Sequence, residues 1–197
     1  RFWEAKENYH IYLKAQHKFS KALDLKKISK NLKFRAILGK GICLLKRTLK
    51  EDARDYLTQA LKIAPKDEKA IFYNGVLKEE EIGPNKFSLE AYQKILLLNP
   101  KHLEALKQLG DLFEYAGYRK KAFSYYKKFI SLGGKSNEIK RWLKKHKPSM
   151  ASKTVKKEKE LVMICPECGR IGKKGQKICE FDGMTFVPQA KISNANK

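Results

Sequence analysis

The residues best suited to chemistry are three cysteines near the C-terminus. Cys165 and Cys168 stand in a Cys-x-x-Cys-Gly sequence, and Cys179 follows ten residues later. Such a turn, here called a knuckle, aims two thiolates at one point, and its glycine tolerates the tight backbone. A second knuckle would normally repeat the pattern. Here Asp182 stands at the position of its last cysteine, and a glycine still follows.

This spacing predicts a tetrahedral, closed metal site with structural Zn²⁺ as the cofactor. Aspartate oxygen is an accepted zinc ligand at about 2.0–2.2 Å, so the predicted ligands are Cys165, Cys168, Cys179 and Asp182. Two alternatives stay open at this point. In the first, Asp182 is an ordinary turn residue and a water molecule is the fourth ligand. In the second, the segment binds no metal.

Other chemistry finds little support in the sequence. A catalytic zinc needs an open coordination position and a nearby base, and the segment contains no histidine. A rubredoxin-like iron centre would want four thiolates, which Asp182 argues against. Cys43 lies between Ile42 and Leu44 in a predicted helix, where a small buried hydrophobe is expected. Without a glycine-rich phosphate loop or a Ser/His/Asp arrangement, we expect no enzyme.

The C-terminal segment resembles the zinc-ribbon family, in the variant whose second knuckle reads Cys-x-x-Asp-Gly. The resemblance covers about residues 161–188 and implies strands at Leu161–Ile164 and Met184–Val187. A module this small buries too little apolar surface to fold alone, so the metal would supply the folding energy.

The rest of the chain repeats itself. Gly41, Gly75 and Gly110 lie 34 and 35 residues apart, each between two amphipathic runs. Two helices of about 13 residues joined by a tight turn fill a unit of roughly 34 residues. A small residue is required where the two helices of a unit, A and B, cross closely. Pro65 and Pro100 end the first two units.

These residues resemble the tetratricopeptide repeat family. The third unit is the cleanest, while the second has Asn74 before its glycine and a longer A–B turn at Gly83-Pro84-Asn85. The resemblance implies an all-α fold, a solenoid of helical hairpins wound as a right-handed superhelix, followed by the small β zinc ribbon. It also implies a non-enzymatic scaffold or adaptor that binds a protein, peptide or partner helix.

The expected organisation has six parts. Their boundaries are inferred from hydrophobic periodicity, from residues that end helices and from local composition. They are a degenerate helix pair or partial upstream repeat at 1–33, three repeats at 34–134, a capping helix at 135–147, a basic flexible linker at 148–160, the zinc ribbon at 161–188 and a tail at 189–197.

In the repeat family, helix A of each unit lines the concave groove. Carried over by position, the implied groove residues are apolar at one end and acidic at the other, which suits an amphipathic or basic peptide. The periodicity equally allows some of them to be core. They are Leu38, Ile42 and Leu45, then Lys69, Phe72, Tyr73, Val76, Glu79 and Glu80, then Glu104, Lys107, Gln108, Asp111, Glu114 and Tyr115.

The chain is strongly basic, with a net charge of +23 from 44 Lys and Arg against 21 Asp and Glu. Nucleic acid, bound without sequence specificity through the linker and ribbon, is therefore the second partner class. The surplus is mainly Lys, which reads phosphate less specifically than Arg. The expected basic surface comprises Lys140, Arg141, Lys144, Lys145, Lys156, Lys157, Arg170, Lys173 and Lys174.

The compartment is inferred from the cysteines and from hydropathy. Clustered metal-type cysteines, rather than a disulfide framework, indicate a reducing compartment, so we expect the cytoplasm. No run approaches the roughly 20 apolar residues that span a bilayer. Because the sequence begins with Arg1 instead of methionine, we expect it to be a piece of a longer chain.

Overall fold

The computed structural model describes residues 2–147 and 161–188. Within them it contains eight helices and one two-stranded antiparallel sheet, which confirms the expected all-α repeat fold with a small C-terminal sheet. The helices are α1 Phe2–Leu23, α2 Lys30–Lys46, α3 Lys50–Ile63, α4 Glu68–Ile82, α5 Lys86–Leu98, α6 Leu103–Tyr115, α7 Arg119–Ser131 and α8 Asn137–Lys145. The strands are β1 Met163–Ile164 and β2 Val187–Pro188.

The N-terminal 33 residues differ from the expected helix pair. They hold the single 22-residue helix α1 and the start of α2, which begins at Lys30. No glycine or proline interrupts Phe2–Leu23, so nothing in that stretch forces a turn. The break comes instead before Ser29, whose side chain accepts a hydrogen bond from the N–H of Leu32 and caps α2.

Two compact units divide the chain, Arg1–Glu81 and Ile82–Lys197. In the N-terminal unit, α2 packs against α1 and α3. Gly41 allows this approach to α3, because a Cβ at Gly41 would lie 2.9 Å from a methyl carbon of Leu57. Asn74 departs from the repeat pattern without leaving its amide unpaired, since its Nδ2 donates to the carbonyl oxygens of Leu57 and Ala70.

The C-terminal unit carries α5 to α8 and the ribbon. A Cβ at Gly110 would lie 2.3 Å from the ring of Tyr126, so the glycine is what lets α6 and α7 cross this closely. Trp142 of α8 meets the Tyr126 ring edge-on at 5.0 Å, and His146 stacks on Trp142 at 4.3 Å. Trp142 therefore packs on α7, as a capping helix requires.

The ribbon strands are shorter than expected; β1 ends at Ile164 as predicted, and β2 ends at Pro188, one residue later than predicted. Met163 pairs with Pro188 and Ile164 with Val187. The linker 148–160 and the tail 189–197 lie outside the described residues. Among the helices that the structure describes, none combines the length and apolar character required to cross a bilayer.

Candidate metal centre and its docking on the repeats

The four predicted ligands come together. The Sγ atoms of Cys165, Cys168 and Cys179 and a carboxylate oxygen of Asp182 all lie within 4.8 Å of one another. Cys165 and Cys179 are buried, while Cys168 and Asp182 are partly exposed. The ligand atoms thus converge on a single point at the edge of the ribbon core.

The two knuckles have the same backbone hydrogen bonds. In the first, the N–H of Gly169 donates to the oxygen of Cys165 at 3.0 Å, and the N–H of Cys165 donates to the oxygen of Arg170 at 2.8 Å. In the second, Gly183 donates to Cys179 at 3.0 Å, and Cys179 donates to Met184 at 2.9 Å. The corresponding glycines both have positive φ, +72° and +69°.

The correspondence extends to the fourth ligand. The N–H of Arg170 donates to the Sγ of Cys168, and the N–H of Met184 donates to Oδ1 of Asp182 at 3.2 Å. Each donor lies two residues after the ligand it bonds. The Asp182 carboxylate therefore stands where the pattern would place a thiolate, in a hydrogen bond that a turn aspartate also makes.

The spacing fits a zinc ion. With Zn–S bonds of about 2.3 Å, two sulfur ligands of a tetrahedral site lie about 3.8 Å apart. The Sγ atoms of Cys168 and Cys179 are 3.7 Å apart. Asp182 oxygens lie 3.2 and 3.3 Å from the Sγ of Cys165, near the roughly 3.5 Å that one sulfur and one oxygen ligand would show.

Electrostatics also favour an ionised Asp182. Hydrogen bonding to its carboxylate, from the Cys168 thiol above all, lowers the pKa of Asp182 well below its usual range. Burial raises the pKa of the Cys168 thiol to about 12. A bound dication reverses that second effect, because a coordinating thiol is deprotonated.

A small apolar core supports the site. Cys165 and Cys179 pack with Phe186, and Met163 covers them. A Cβ at Gly172 would lie 3.0 Å from the Phe186 ring, so this glycine admits the ring to the core.

The ribbon docks on two A–B turns of the C-terminal unit. At the α4–α5 turn, the N–H of Lys86 donates to the oxygen of Gly169 at 2.8 Å, and the N–H of Ile171 donates to the oxygen of Pro84 at 3.0 Å. The first of these bonds satisfies the N–H of Lys86 at the start of α5, which has no partner within the helix. The longer Gly83-Pro84-Asn85 turn therefore provides part of the docking edge.

The second docking point is the α6–α7 turn. The N–H of Lys174 donates to the oxygen of Ala116 at 2.8 Å, and the N–H of Met163 donates to the hydroxyl oxygen of Tyr118 at 3.1 Å. Neither docking point was predicted from the sequence. The α6–α7 turn shows no unusual feature there, whereas the α4–α5 turn is one residue longer than the repeat pattern.

Placement of the predicted groove residues is mixed. Leu45 is 2% exposed and Leu38 is 6% exposed, and both belong to the core of the N-terminal unit, because a stripe of apolar residues does not by itself separate groove from core. The expected partner contact of Leu45 is therefore wrong. Leu38 and Ile42 line a cleft of about 690 Å³ in the same unit. On α4 the half-buried residues are Phe72, Tyr73, Val76 and Glu79, and on α6 Gln108 and Asp111 are half-buried while Tyr115 is exposed.

The acidic end of the predicted groove contains an unusual cluster. The hydroxyl of Tyr126 lies 2.7 Å from Oδ1 of Asp111 and 2.7 Å from Oε2 of Glu114. Lys107 pairs with the other oxygen of Asp111. Burial, followed by these two hydrogen bonds, raises the pKa of Tyr126 far above its ordinary value.

The predicted basic surface is only partly available. Lys140, Arg141, Lys144 and Lys145 are exposed on α8, and the side chains of Lys173 and Lys174 are exposed on the ribbon. Arg170 does not belong to that surface, because its Nε donates to the oxygen of Ile82 and its guanidinium covers the ring of Phe181. Lys156 and Lys157 lie outside the described residues.

Sequence comparison finds relatives for part of the chain. Two plant proteins are each named as a probable UDP-N-acetylglucosamine–peptide N-acetylglucosaminyltransferase SPINDLY. That of Hordeum vulgare is 33% identical over 121 residues, 55% of this chain, and that of Arabidopsis thaliana is 33% identical over 108 residues, 52% of this chain. The chain spans 12% of the length of either relative. No protein-family model matches.

Structure comparison finds helical-repeat proteins. YrrB, described as a tetratricopeptide repeat (TPR) protein with an unusual peptide-binding site, has a TM-score of 0.53 and 24% identity, covering 69% of this chain and 67% of its own. The Sgt2 TPR domain of Aspergillus fumigatus has a TM-score of 0.51 and 24% identity, covering 58% and 77%. MamA has a TM-score of 0.54 and 17% identity, covering 72% and 78%. The helical part of this chain therefore has the tetratricopeptide-repeat fold.

Proposed function

We propose that this protein is a non-enzymatic scaffold whose repeats bind an amphipathic peptide or partner helix and whose ribbon holds a structural zinc ion. The fold supports the general role, since proteins with this repeat architecture act chiefly by holding other proteins. The observation that carries the specific proposal is the cleft in the N-terminal unit.

The cleft has an apolar wall and a charged rim. Phe19 of α1 and Phe34, Leu38 and Ile42 of α2 form the wall. The rim contains Arg35, Lys66, Asp67, Glu68 and Lys69, which carry charges of both signs. An amphipathic helix places apolar side chains at i, i+3 and i+4 on one face, so it can fill the wall while its polar face meets the rim.

A peptide-selection experiment tests this proposal. Random 16-residue peptides would be selected on the whole protein, and the affinity of the best binder measured by fluorescence anisotropy. Removing the aromatic and branched wall residues with Phe34→Ala and Ile42→Ala should weaken binding at least tenfold, since each loses roughly 1–2 kcal/mol of apolar burial. Leu97→Ala, at a 74% exposed position in the other unit, is the matched control.

The salt dependence of the peptide affinity distinguishes apolar binding in the cleft from electrostatic binding. Because apolar burial drives the proposed contact, affinity should change little between 50 and 300 mM salt, on the order of a few-fold. Unchanged affinity in a folded Phe34→Ala/Ile42→Ala variant, or selected peptides with no apolar positions, would contradict the proposal.

Zinc in the ribbon is the second part of the proposal. Cys165, Cys168, Cys179 and Asp182 would hold it, and a closed site with four protein ligands leaves no position for substrate. When bound, the ion supplies folding energy to the ribbon. Nucleic-acid binding has less support, because the ribbon's one arginine is engaged within the protein.

A further inference from the structure

We infer that Arg170 is a positioning residue that couples the metal centre to the C-terminal repeat unit, so that zinc binding and ribbon docking strengthen one another. The inference rests on the proposed zinc site and concerns how the rest of the chain responds to it. Four contacts of this residue carry it.

Two of the contacts are made by the Arg170 backbone within the first knuckle. Its N–H donates to the Sγ of Cys168, and its carbonyl oxygen accepts from the N–H of Cys165 at 2.8 Å. Outer-shell donors of this kind orient metal ligands and tune their electron density. Any displacement of the Arg170 backbone therefore moves both ligands of the first knuckle.

The other two contacts are made by its side chain. Nε donates to the oxygen of Ile82 at 2.9 Å, and the guanidinium carbon lies 3.1 Å from the ring centroid of Phe181 in the second knuckle. Ile82 is the last residue of α4 and the first of the C-terminal unit. One side chain thus joins the second knuckle to a helix terminus that precedes the docking turn.

The arginine side chain is chemically suited to this pair of contacts. A planar guanidinium can donate within its plane while its face lies on an aromatic ring. The oxygen of Ile82 is among the last four carbonyls of its helix, which lack intrahelical partners and attract positive charge. Lysine has no flat face and would keep at most one of the two contacts.

The neighbours of Arg170 extend the connection along the chain. Arg170 pairs with Asn85 in an antiparallel bridge, between the bonds from Lys86 to Gly169 and from Ile171 to Pro84. Asn85 is fully buried and caps α5 through a reciprocal pair of bonds with Ser88. Residues 169–171 therefore contact the first knuckle on one side and the start of α5 on the other.

Coupling of this kind must be reciprocal. If docking raises the affinity for zinc by some factor, zinc strengthens docking by the same factor. Zinc should accordingly protect the amide of Lys86 from hydrogen exchange, although Lys86 is remote in sequence from all four metal ligands. Loss of the Arg170 side chain should reduce both zinc affinity and this protection.

The test measures both quantities on the full chain. Zinc affinity is obtained by competition with a chromophoric chelator, and exchange at Lys86 by hydrogen–deuterium mass spectrometry in zinc and in EDTA. For Arg170→Ala we expect about tenfold weaker zinc binding and faster exchange at Lys86 even at saturating zinc. Arg170→Lys should fall between wild type and Arg170→Ala, and Lys177→Ala, at an exposed position, should match wild type.

The outcomes separate the two proposals. Wild-type protein that binds no zinc overturns the proposed zinc site and this inference with it. Wild-type zinc binding with unchanged affinity and unchanged Lys86 exchange in Arg170→Ala overturns the coupling alone. If Arg170→Ala does not fold, Phe181→Leu removes the stacked ring and keeps the arginine; it should weaken zinc binding and speed Lys86 exchange, and wild-type values for both would overturn the inference.

Discussion

Asp182 occupies in the second knuckle the position that Cys168 occupies in the first. Each accepts a hydrogen bond from the backbone N–H two residues later, Met184 and Arg170 respectively. Each is also followed by a glycine in the left-handed region. The candidate site thus combines two similar backbone turns, which present three sulfur atoms and one carboxylate as the proposed ligands.

Exchanging the oxygen ligand for sulfur should strengthen the site. Asp182→Cys replaces a hard carboxylate with a soft thiolate on the same backbone, so zinc affinity should rise at least tenfold. Asp182→Ala should lower the affinity by about tenfold or more, measured by chelator competition. Glu180→Ala, at an exposed neighbouring position, serves as the control. Wild-type affinity in Asp182→Ala would mean that water serves as the fourth ligand.

The glycine at the α6–α7 crossing should resist even the smallest substitution. Alanine at Gly110 would gain helix propensity of about 1 kcal/mol, but its Cβ would lie 2.3 Å from the Tyr126 ring. That ring cannot retreat easily, since Asp111 and Glu114 hold its hydroxyl. We expect Gly110→Ala to lower the free energy of unfolding by about 1–3 kcal/mol in urea titrations. Equal or greater stability would contradict the close crossing; Ser124→Ala on the exposed face of α7 is the control.

The Tyr126 hydroxyl should contribute measurably to stability. Tyr126→Phe keeps the ring and removes a donor to two carboxylates, both of which still reach solvent. We expect a loss of about 1–2 kcal/mol at pH 7, near the lower end for hydrogen bonds to charged groups. Urea unfolding measures it, with Tyr115→Phe at a 55% exposed position as the control. A loss no larger than that of the control would show that the cluster contributes nothing.

The same residue should produce a pH dependence above neutrality. Because the folded-state pKa of Tyr126 is raised, its contribution is complete below the unfolded value of about 10 and declines as pH rises beyond it. Between pH 10 and 11 the unfolded chain loses this proton and the folded chain keeps it. The unfolding free energy of wild type should therefore fall relative to Tyr126→Phe, by up to about 1.4 kcal/mol per pH unit. Parallel curves from pH 9 to 11 would contradict the assignment.

The helical repeats and the convergence of the four candidate ligand residues were predictable because both depend on local spacing. Gly41 and Gly110 recur where helices cross, and the knuckle sequence brings its own ligands together within a few residues. The single α1 helix was not foreseen, since a weak apolar pattern was interpreted as two helices where no residue forces a turn. Leu45 fits the groove pattern but lies in the core, because an apolar stripe on a helix does not show which side faces a partner.

Ribbon docking could not be predicted, because it depends on backbone groups far apart in sequence. Pro84 and Ile171, or Ala116 and Lys174, carry no side-chain signal that pairs them. The charge of Arg170 predicted a solvent-exposed side chain. In the structure this side chain instead contacts the carbonyl oxygen of Ile82 and the ring of Phe181. The Gly83-Pro84-Asn85 turn departed from the repeat pattern in the sequence, but only by its length.

X-ray absorption at the zinc edge, on the 197-residue chain purified with zinc, measures the proposed coordination shell itself. We expect one zinc per chain with three sulfur neighbours at about 2.3 Å and one oxygen at about 2.0 Å. Asp182→Cys should convert this shell to four sulfurs. A wild-type chain without stoichiometric zinc, or a shell with fewer than three sulfurs, would contradict it.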